Sequence, residues 1–319
     1  MDYLISIIIV NYNGKKYLET CLDSVYKNNY PNFEIIVVDN GSVDGSIELL
    51  EKKYPKVIIN KLDKNYGFAY PNNIGAKIAK GEFLMFLNND TRVDSNFLNP
   101  LVQAILSDPK IAICQSLLLR PDGKVDSAGD FVDQYGRAYN SKLIPTTQME
   151  ILSARGASML VRKEVFLELG KFDECFFVSF EDVDLGWRSW IYGYKVVIVP
   201  DSIVFHYGGG TISTMREEIQ FHSSKNSLVL RLTHFEKFYA LRSIVALLFV
   251  ILSRKTLGFS IIDDPEVPPP LPKIKNMILA VKWVLENRRY VKSKRKTIQK
   301  NRKLKTIDLI KRGLISKNK

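Results

Sequence analysis

Four short apolar, β-branched runs, at 6–10, 34–38, 57–60 and 83–87, alternate with helix-period stretches at 15–26, 44–54 and 72–79. This alternation constrains the chain more than any other feature. Strands joined by helical crossovers imply a parallel sheet with right-handed connections and helices on its faces. In such α/β sheets ligands bind beyond the carboxyl ends of the strands. The polar residues collect at those ends: Asn11, Tyr12 and Asn13 follow the first run, Asp39 to Ser42 the second, and Asn88, Asn89 and Asp90 the fourth.

Beyond residue 94 the pattern becomes mixed. A helix over 96–106 leads to a strand over 111–118, a polar hairpin-like region, an apolar segment at 158–162, a helix around 183–191 and a strand at 195–199. After residue 214 the chain reads as helical, and the proline-rich 263–273 marks a break. The expected organisation is a domain over 1–214, divided near residue 91 into two halves. A helical segment (215–262) and a linker with a basic helical tail (263–319) follow.

Charge is distributed unevenly. The net charge is +12, yet 271–319 alone carry 17 Lys or Arg against two acids, Glu286 and Asp308, so the body is slightly acidic. Three scattered cysteines (Cys21, Cys114, Cys175) argue against a disulfide framework or structural zinc and fit a reducing, cytoplasmic compartment. The N-terminal MDYLISIIIVNYN lacks a basic leader and a cleavage site, so its apolar run reads as a strand. The longest uncharged apolar run, 243–253, is too short to span a bilayer.

Five segments carry candidate chemistry. In VVDNGSVDGS (37–46), Asp39 at a strand end can accept hydrogen bonds from a base or ribose, while Asp44 suits a helix cap. In LDKNYGFAYPNNIGAKIAKG (62–81), Gly67 permits close backbone approach, and a helix beginning near Pro71–Asn73 would favour a diphosphate. FLMFLNNDT (83–91) ends a buried-type run in Asn88, Asn89 and Asp90, a carboxylate and amides suited to a hard cation that completes its shell with phosphate and water. In FVSFEDVDLGWRSWIYGYKV (177–196), Glu181, Asp182 and Asp184 open a helix behind an aromatic run; carboxylates beside apolar rings bind protons more tightly, which suits a general base. In IVFHYGGGTIS (203–213), His206 stands before three glycines and reads equally as a packed residue or a metal ligand.

These segments, in this order and together with ARGASMLVRKEVF, resemble the inverting glycosyltransferases of family 2, which have the GT-A fold. The nearest subgroup is the rhamnosyltransferase-like and galactofuranosyltransferase-like enzymes. The resemblance covers about residues 4–210. It implies that Asp39 contacts the nucleobase, and that Asn11, Tyr12, Asn13, Asn65 and Gly67 line the nucleotide pocket. Asn88 and Asp90, with Asn89 between them, occupy the family's DxD positions, and His206 is a further ligand of a divalent cation, Mn2+ or Mg2+. Asp182 becomes the general base, with Glu181 beside it and Arg155 and Gly156 in the acceptor site. The first DxD carboxylate is here Asn88, leaving Asp90 as the motif's only acid. The QxxRW of processive synthases is absent from the sequence, which points to transfer of single or few residues.

The expected reaction moves a sugar from a nucleotide-diphosphate donor to a hydroxyl of a glycan or lipid-linked acceptor. The rivals are a silent nucleotide-sugar-binding module and a nucleotidyltransferase, for whose basic triphosphate loop NYNGKKYL is a poor match. The segment 235–257 suits a helix lying in a membrane interface, and the basic tail would add attraction to anionic headgroups, placing the protein on the inner face of the cell membrane. With only Trp283 and Tyr290 in the tail, no nucleic-acid partner is expected.

Overall fold

Along the first strand, β1 (Ile5–Asn11), side chains divide by parity. Ile5, Ile7 and Ile9 enter one buried apolar cluster and Ile8 a second. The next strand, β2 (Phe33–Asp39), repeats the division, with Ile35 and Val37 in the first cluster and Ile36 and Val38 in the other. A core on each face explains why these strands are apolar at successive positions rather than at alternate ones.

A computed structural model describes residues 3–208, 216–257 and 274–317. Between and after the first two strands come α1 (Lys15–Tyr26), α2 (Ser46–Lys53), β3 (Ile58–Lys61), α3 (Ala69–Ile78), β4 (Phe83–Asn88), β5 (Thr91–Val93) and α4 (Leu98–Ser107). Then follow β6 (Ile111–Leu119), β7 (Val125–Ser127), β8 (Asp130–Asp133), β9 (Ala138–Asn140), β10 (Met149–Glu150), β11 (Ser158–Arg162), α5 (Lys163–Glu168), α6 (Glu181–Ile191) and β12 (Lys195–His206). The remainder is α7 (Arg216–His234), α8 (Lys237–Leu257), α9 (Ile274–Glu286), α10 (Arg288–Lys300), α11 (Thr306–Lys311) and β13 (Ile315–Ser316).

Ten strands form one mixed sheet in the order β10-β12-β6-β11-β4-β1-β2-β3, with β5 paired to β12 and β7 to β6. The half built from β1 to β4 is parallel, as the alternation requires, and β11 runs antiparallel between β4 and β6. Register aligns the strand ends: Asn11 lies opposite Asp39, and Val10 opposite Asn88. Three of the polar residues singled out by sequence therefore stand level on one edge.

Two local expectations need correction. The helix expected near Pro71–Asn73 begins earlier, at Ala69, and Asn72 and Asn73 are buried in protein contacts, Asn73 holding both Phe172 backbone groups. Gly45, left-handed with φ +82, takes the N-cap position of α2 expected for Asp44. Asp44 instead accepts the N–H of Lys15 at 2.8 Å and of Ser46 at 3.1 Å, pinning the starts of both α1 and α2.

The described part of the basic tail is not a separate appendage. Val291, Ile298, Leu309, Leu314 and Ile315 join the cluster that also contains Trp187 and Phe235. The β13 strand pairs with β8 in a small three-stranded sheet with β9. Lys294 of α10 is half-buried, with its ammonium 2.6 Å from the Asp184 carboxylate and also bonded to Asp173. The linker at 263–273, the glycines after Gly208 and the boundary at residue 214 lie outside the described residues. All three cysteines are free. No helix among the described residues is long and apolar enough to cross a membrane.

Candidate active site

The strand ends build the site from one side. Asp39 is buried, and its two oxygens accept the Asn11 side-chain amide at 3.1 Å and the Ser42 N–H at 2.9 Å. The Ser42 hydroxyl accepts the second Asn11 hydrogen and the Asn13 N–H, while the Asn13 side chain, on a backbone at φ +49, accepts the Val43 N–H in return. Asn65 accepts the Asn40 amide at 2.9 Å and the Gly67 N–H at 2.8 Å. The two loops after β1 and β2 are thus one rigid polar rim, with Tyr12 half-buried beside it. Glycine at position 67 lets the rim close on the segment before α6: a Cβ there would stand 2.1 Å from the Phe177 carbonyl oxygen.

At the end of β4, Asn89 donates to Asn11 at 2.8 Å, so this segment continues the rim. Asp90 Oδ1 lies 3.3 Å from His206 Nε2, and the Asn88 amide lies 3.4 Å from the same nitrogen. Antiparallel pairing of β5 with the end of β12 brings this about, since Thr91 is registered opposite His206. Cis donors of an octahedral cation with bonds near 2.1 Å stand about 3 Å apart, so the Asp90–His206 pair fits two corners of such a site. Among the described residues no group of three or more His, Cys, Asp or Glu forms a metal cage. The protein offers a partial shell, of the kind completed by phosphate oxygens and water.

Behind His206 stands a residue that the sequence reading missed. Asp126 of β7 accepts from His206 Nδ1 at 2.9 Å, which fixes the ring and leaves Nε2 for the side of Asp90. Burial opposes the charge on both partners. For His206 the bonds to Asp126 and Asp90 outweigh it and push the pKa up to about 9; for Asp126 the His206 bond and Arg155 hold it below the usual carboxylate range. Arg155 spans Asp126 at 3.4 Å and Asp130 of β8 at 3.6 Å. Burial, only partly offset by Arg155, pushes Asp130 up to about 7. Neither Asp126 nor Asp130 belongs to a recognisable motif. The only trace in sequence is a pair of acids, four apart, in the polar region read as hairpin-like.

Gly156 donates its N–H to Asp182 Oδ2 at 3.3 Å, and Val183 N–H donates to Oδ1 at 2.8 Å. Ser153 fixes the Asp182 carbonyl at 2.7 Å. Burial raises the Asp182 pKa, with Arg155 and these N–H donors opposing the rise. Glu181 is buried with one oxygen that has no hydrogen-bond partner among the described residues, and burial together with its neighbours Asp182 and Asp184 raises its pKa well above the ordinary value. Asp184 belongs elsewhere: it faces Arg188, Lys294 and His234 in the core.

Contacts therefore run unbroken from Asp39 through Asn11 and Asn89 to the Asp90 segment, and on through His206, Asp126 and Arg155–Gly156 to Asp182. With this geometry in place, likeness to known proteins becomes informative. The chain matches the family model described as "Glycosyl transferase family 2" over residues 6–170. The O-antigen biosynthesis protein RfbC of Myxococcus xanthus is 33% identical over 219 residues, 64% of this chain but only 17% of that protein. N-acetylglucosaminyl-diphospho-decaprenol L-rhamnosyltransferase of Mycobacterium tuberculosis is 24% identical over 236 residues, 65% of this chain and 77% of the relative. The crystal structure of GalNAc-T7 with UDP, GalNAc and Mn2+ superposes with a TM-score of 0.61 at 21% identity, covering 90% of this chain and 57% of that one. That likeness establishes the GT-A fold. With a family model that covers half of its length, the chain belongs to glycosyl transferase family 2.

Proposed function

We propose that the chain is an inverting glycosyltransferase that moves a sugar from a nucleotide-diphosphate donor to a hydroxyl of a glycan or lipid-linked acceptor. The observation that carries this reading is the continuous line of contacts from Asp39 to Asp182 along the carboxyl edge of the sheet. The rim formed by Asn11, Tyr12, Asn13, Asp39, Asn65 and Gly67 takes the nucleotide. Asn88, Asn89 and Asp90 face the diphosphate. Asp90 and His206 would hold a divalent cation, Mn2+ or Mg2+, which when bound supplies Lewis-acid stabilisation of the leaving diphosphate. The Mn2+ that accompanies UDP in the GalNAc-T7 crystal structure supports a cation of this class.

Asp182 takes the proton of the acceptor hydroxyl as its oxygen bonds to the anomeric carbon and the bond to diphosphate breaks on the opposite face. One displacement of this kind inverts the centre. The Gly156 N–H orients the carboxylate, Arg155 keeps it ionisable despite burial, and Glu181, whose proton affinity is raised by burial and by the neighbouring acids, stands beside it in the acceptor site. The decaprenol-linked substrate after which the mycobacterial relative is named supports a lipid-linked acceptor. With that acceptor goes a peripheral position on the inner, cytoplasmic face of the cell membrane. The surface for it is a stripe of exposed apolar residues on α8 (Phe238, Leu241, Val245, Leu248 and Phe249), with basic residues of α10 nearby.

Asp182→Asn is the direct test. It removes the proton acceptor while keeping shape, so kcat falls by roughly 10²–10⁴-fold while donor affinity, measured by calorimetry with Mn2+ and a panel of nucleotide sugars, stays close to wild type. Undiminished transfer in that variant excludes the assignment.

A further inference from the structure

Ser179 and Phe180, immediately before Glu181 and Asp182, both lie in the left-handed region, at φ +69 and +71. Side chains of L-residues crowd the backbone there, and neither residue is glycine. No side chain caps α6 at Phe180. The turn that aims the acid pair is therefore held from outside.

The hold comes from one face of α7. Asn226, fully buried, donates its amide hydrogens to Val178 O at 3.0 Å and to Ser179 O at 2.6 Å. Lys225 donates to Cys175 O and stands 4.7 Å over the Trp283 ring. One turn earlier the His222 ring stacks on Phe177 at 5.1 Å between centroids. Residues 222, 225 and 226 share one helix face by spacing, and together they grip the segment that leads into α6. That segment also meets the nucleotide rim, since Phe177 O accepts the Phe68 N–H at 2.7 Å.

Asn226 is not chosen to fill space. Its Oδ1 is buried and accepts no hydrogen bond among the described residues. An apolar side chain of similar size would spare that oxygen but take the donors from the Val178 and Ser179 carbonyls. What the amide supplies is two donors at two carbonyls of a strained turn, directly behind the acid pair.

We propose that Asn226 is a positioning residue for glycosyl transfer: its amide holds the left-handed Ser179–Phe180 turn, and through it the angle at which α6 presents Asp182 to the acceptor. Without the two bonds the turn relaxes, and the Asp182 carboxylate leaves the Gly156 N–H. The proposal rests on the reading of Asp182 as the base.

The test measures kcat, donor KM, the acid limb of kcat/KM for the acceptor, and thermal unfolding in four variants. Asn226→Leu fills the space without donors; kcat falls on the order of 100-fold, the cost of misplacing a catalytic group by about 1 Å, with donor KM little changed and the acid limb displaced. Asn226→Ser keeps one donor and gives an intermediate kcat. Adding Ser179→Gly to Asn226→Leu restores kcat by about tenfold, because glycine adopts the left-handed conformation freely. A purely structural Asn226 would instead lower the melting temperature in both single variants, with kcat per folded molecule and the acid limb unchanged and no rescue by glycine. That pattern overturns the proposal, as does wild-type kcat in Asn226→Ser. Asp182→Asn, assayed in parallel, separates the two claims: normal turnover there defeats the base assignment, whereas an inactive Asp182→Asn beside a fully active Asn226→Leu defeats only the positioning role.

Discussion

Arg155 shows how one side chain sets the chemistry of several others. Its guanidinium reaches the side chains of both Asp126 and Asp130 and opposes the effect of burial at Asp182, while Lys142 adds a weaker pull on Asp126. Burial raises the proton affinity of Asp182, and Arg155 is the largest opposing influence. A general base works deprotonated, so activity falls as pH drops through its pKa, and any rise in that pKa moves the loss to higher pH. In Arg155→Met the acid limb of kcat/KM for the acceptor should therefore shift upward, by about one pH unit if Arg155 offsets a typical one-charge interaction. A limb that stays in place, or moves down, shows that Arg155 does not govern Asp182. Sequence placed Arg155 at the acceptor site through a resemblance. Its partners Asp126 and Asp130 were out of reach, because they come to it only through strands β7 and β8, which pair far from any motif.

At the scale of elements, the parallel half was legible because its rules are local. Apolar runs separated by helix-length crossovers dictate strand order and direction, and the register of β1 with β2 and β4 levels Asn11, Asp39 and Asn88 on one edge. His206 was ambiguous in sequence because its meaning depends on β5 pairing with the end of β12, a contact between residues more than a hundred apart. The α7 face that carries Asn226 was equally hidden, since its partners are backbone carbonyls, which leave no mark on residue type. The bounds of the 235–257 segment were legible only in part. Its first residue, Phe235, lies before α8 and is core, and the exposed stripe begins at Phe238. Fully burying a Phe is worth about 1.5–3 kcal/mol, so losing two from a membrane contact weakens binding by tenfold or more. Flotation with vesicles containing anionic phosphatidylglycerol should recover the wild-type chain, whereas Phe238→Ser/Phe249→Ser should float at least tenfold less, and neutral vesicles should recover little of either. Equal flotation of the two chains removes α8 as the membrane contact.

At the scale of the molecule, the helix that carries Asp182 and the basic tail share one buried polar centre, and this couples the fold to pH. Asp184 on α6 meets Arg188, Lys294 from α10 and His234 from α7. Burial resists its charge, but Arg188 and Lys294 outweigh that and hold its carboxyl well below the ordinary range. His234 is fully buried, and burial, against the pull of Asp184, lowers its pKa from 6.5 to about 3. Both folded-state values are depressed, so in each case the unfolded chain binds protons more readily than the folded one. Stability is then complete above the unfolded values and is lost as pH falls. For His234 the loss opens near pH 6.5 and continues toward pH 3, with a slope approaching 1.4 kcal/mol per pH unit at most, about the worth of one proton. Asp184 adds its share only below the ordinary carboxylate range. Denaturant unfolding followed between pH 7.5 and about 4 should show this decline beginning well above carboxylate titration. In His234→Phe, compared at matched conditions, the part of the slope between about pH 6.5 and 4.5 should flatten even if the variant is less stable at neutral pH. An unchanged slope would place the acid sensitivity outside the centre that joins the tail to α6.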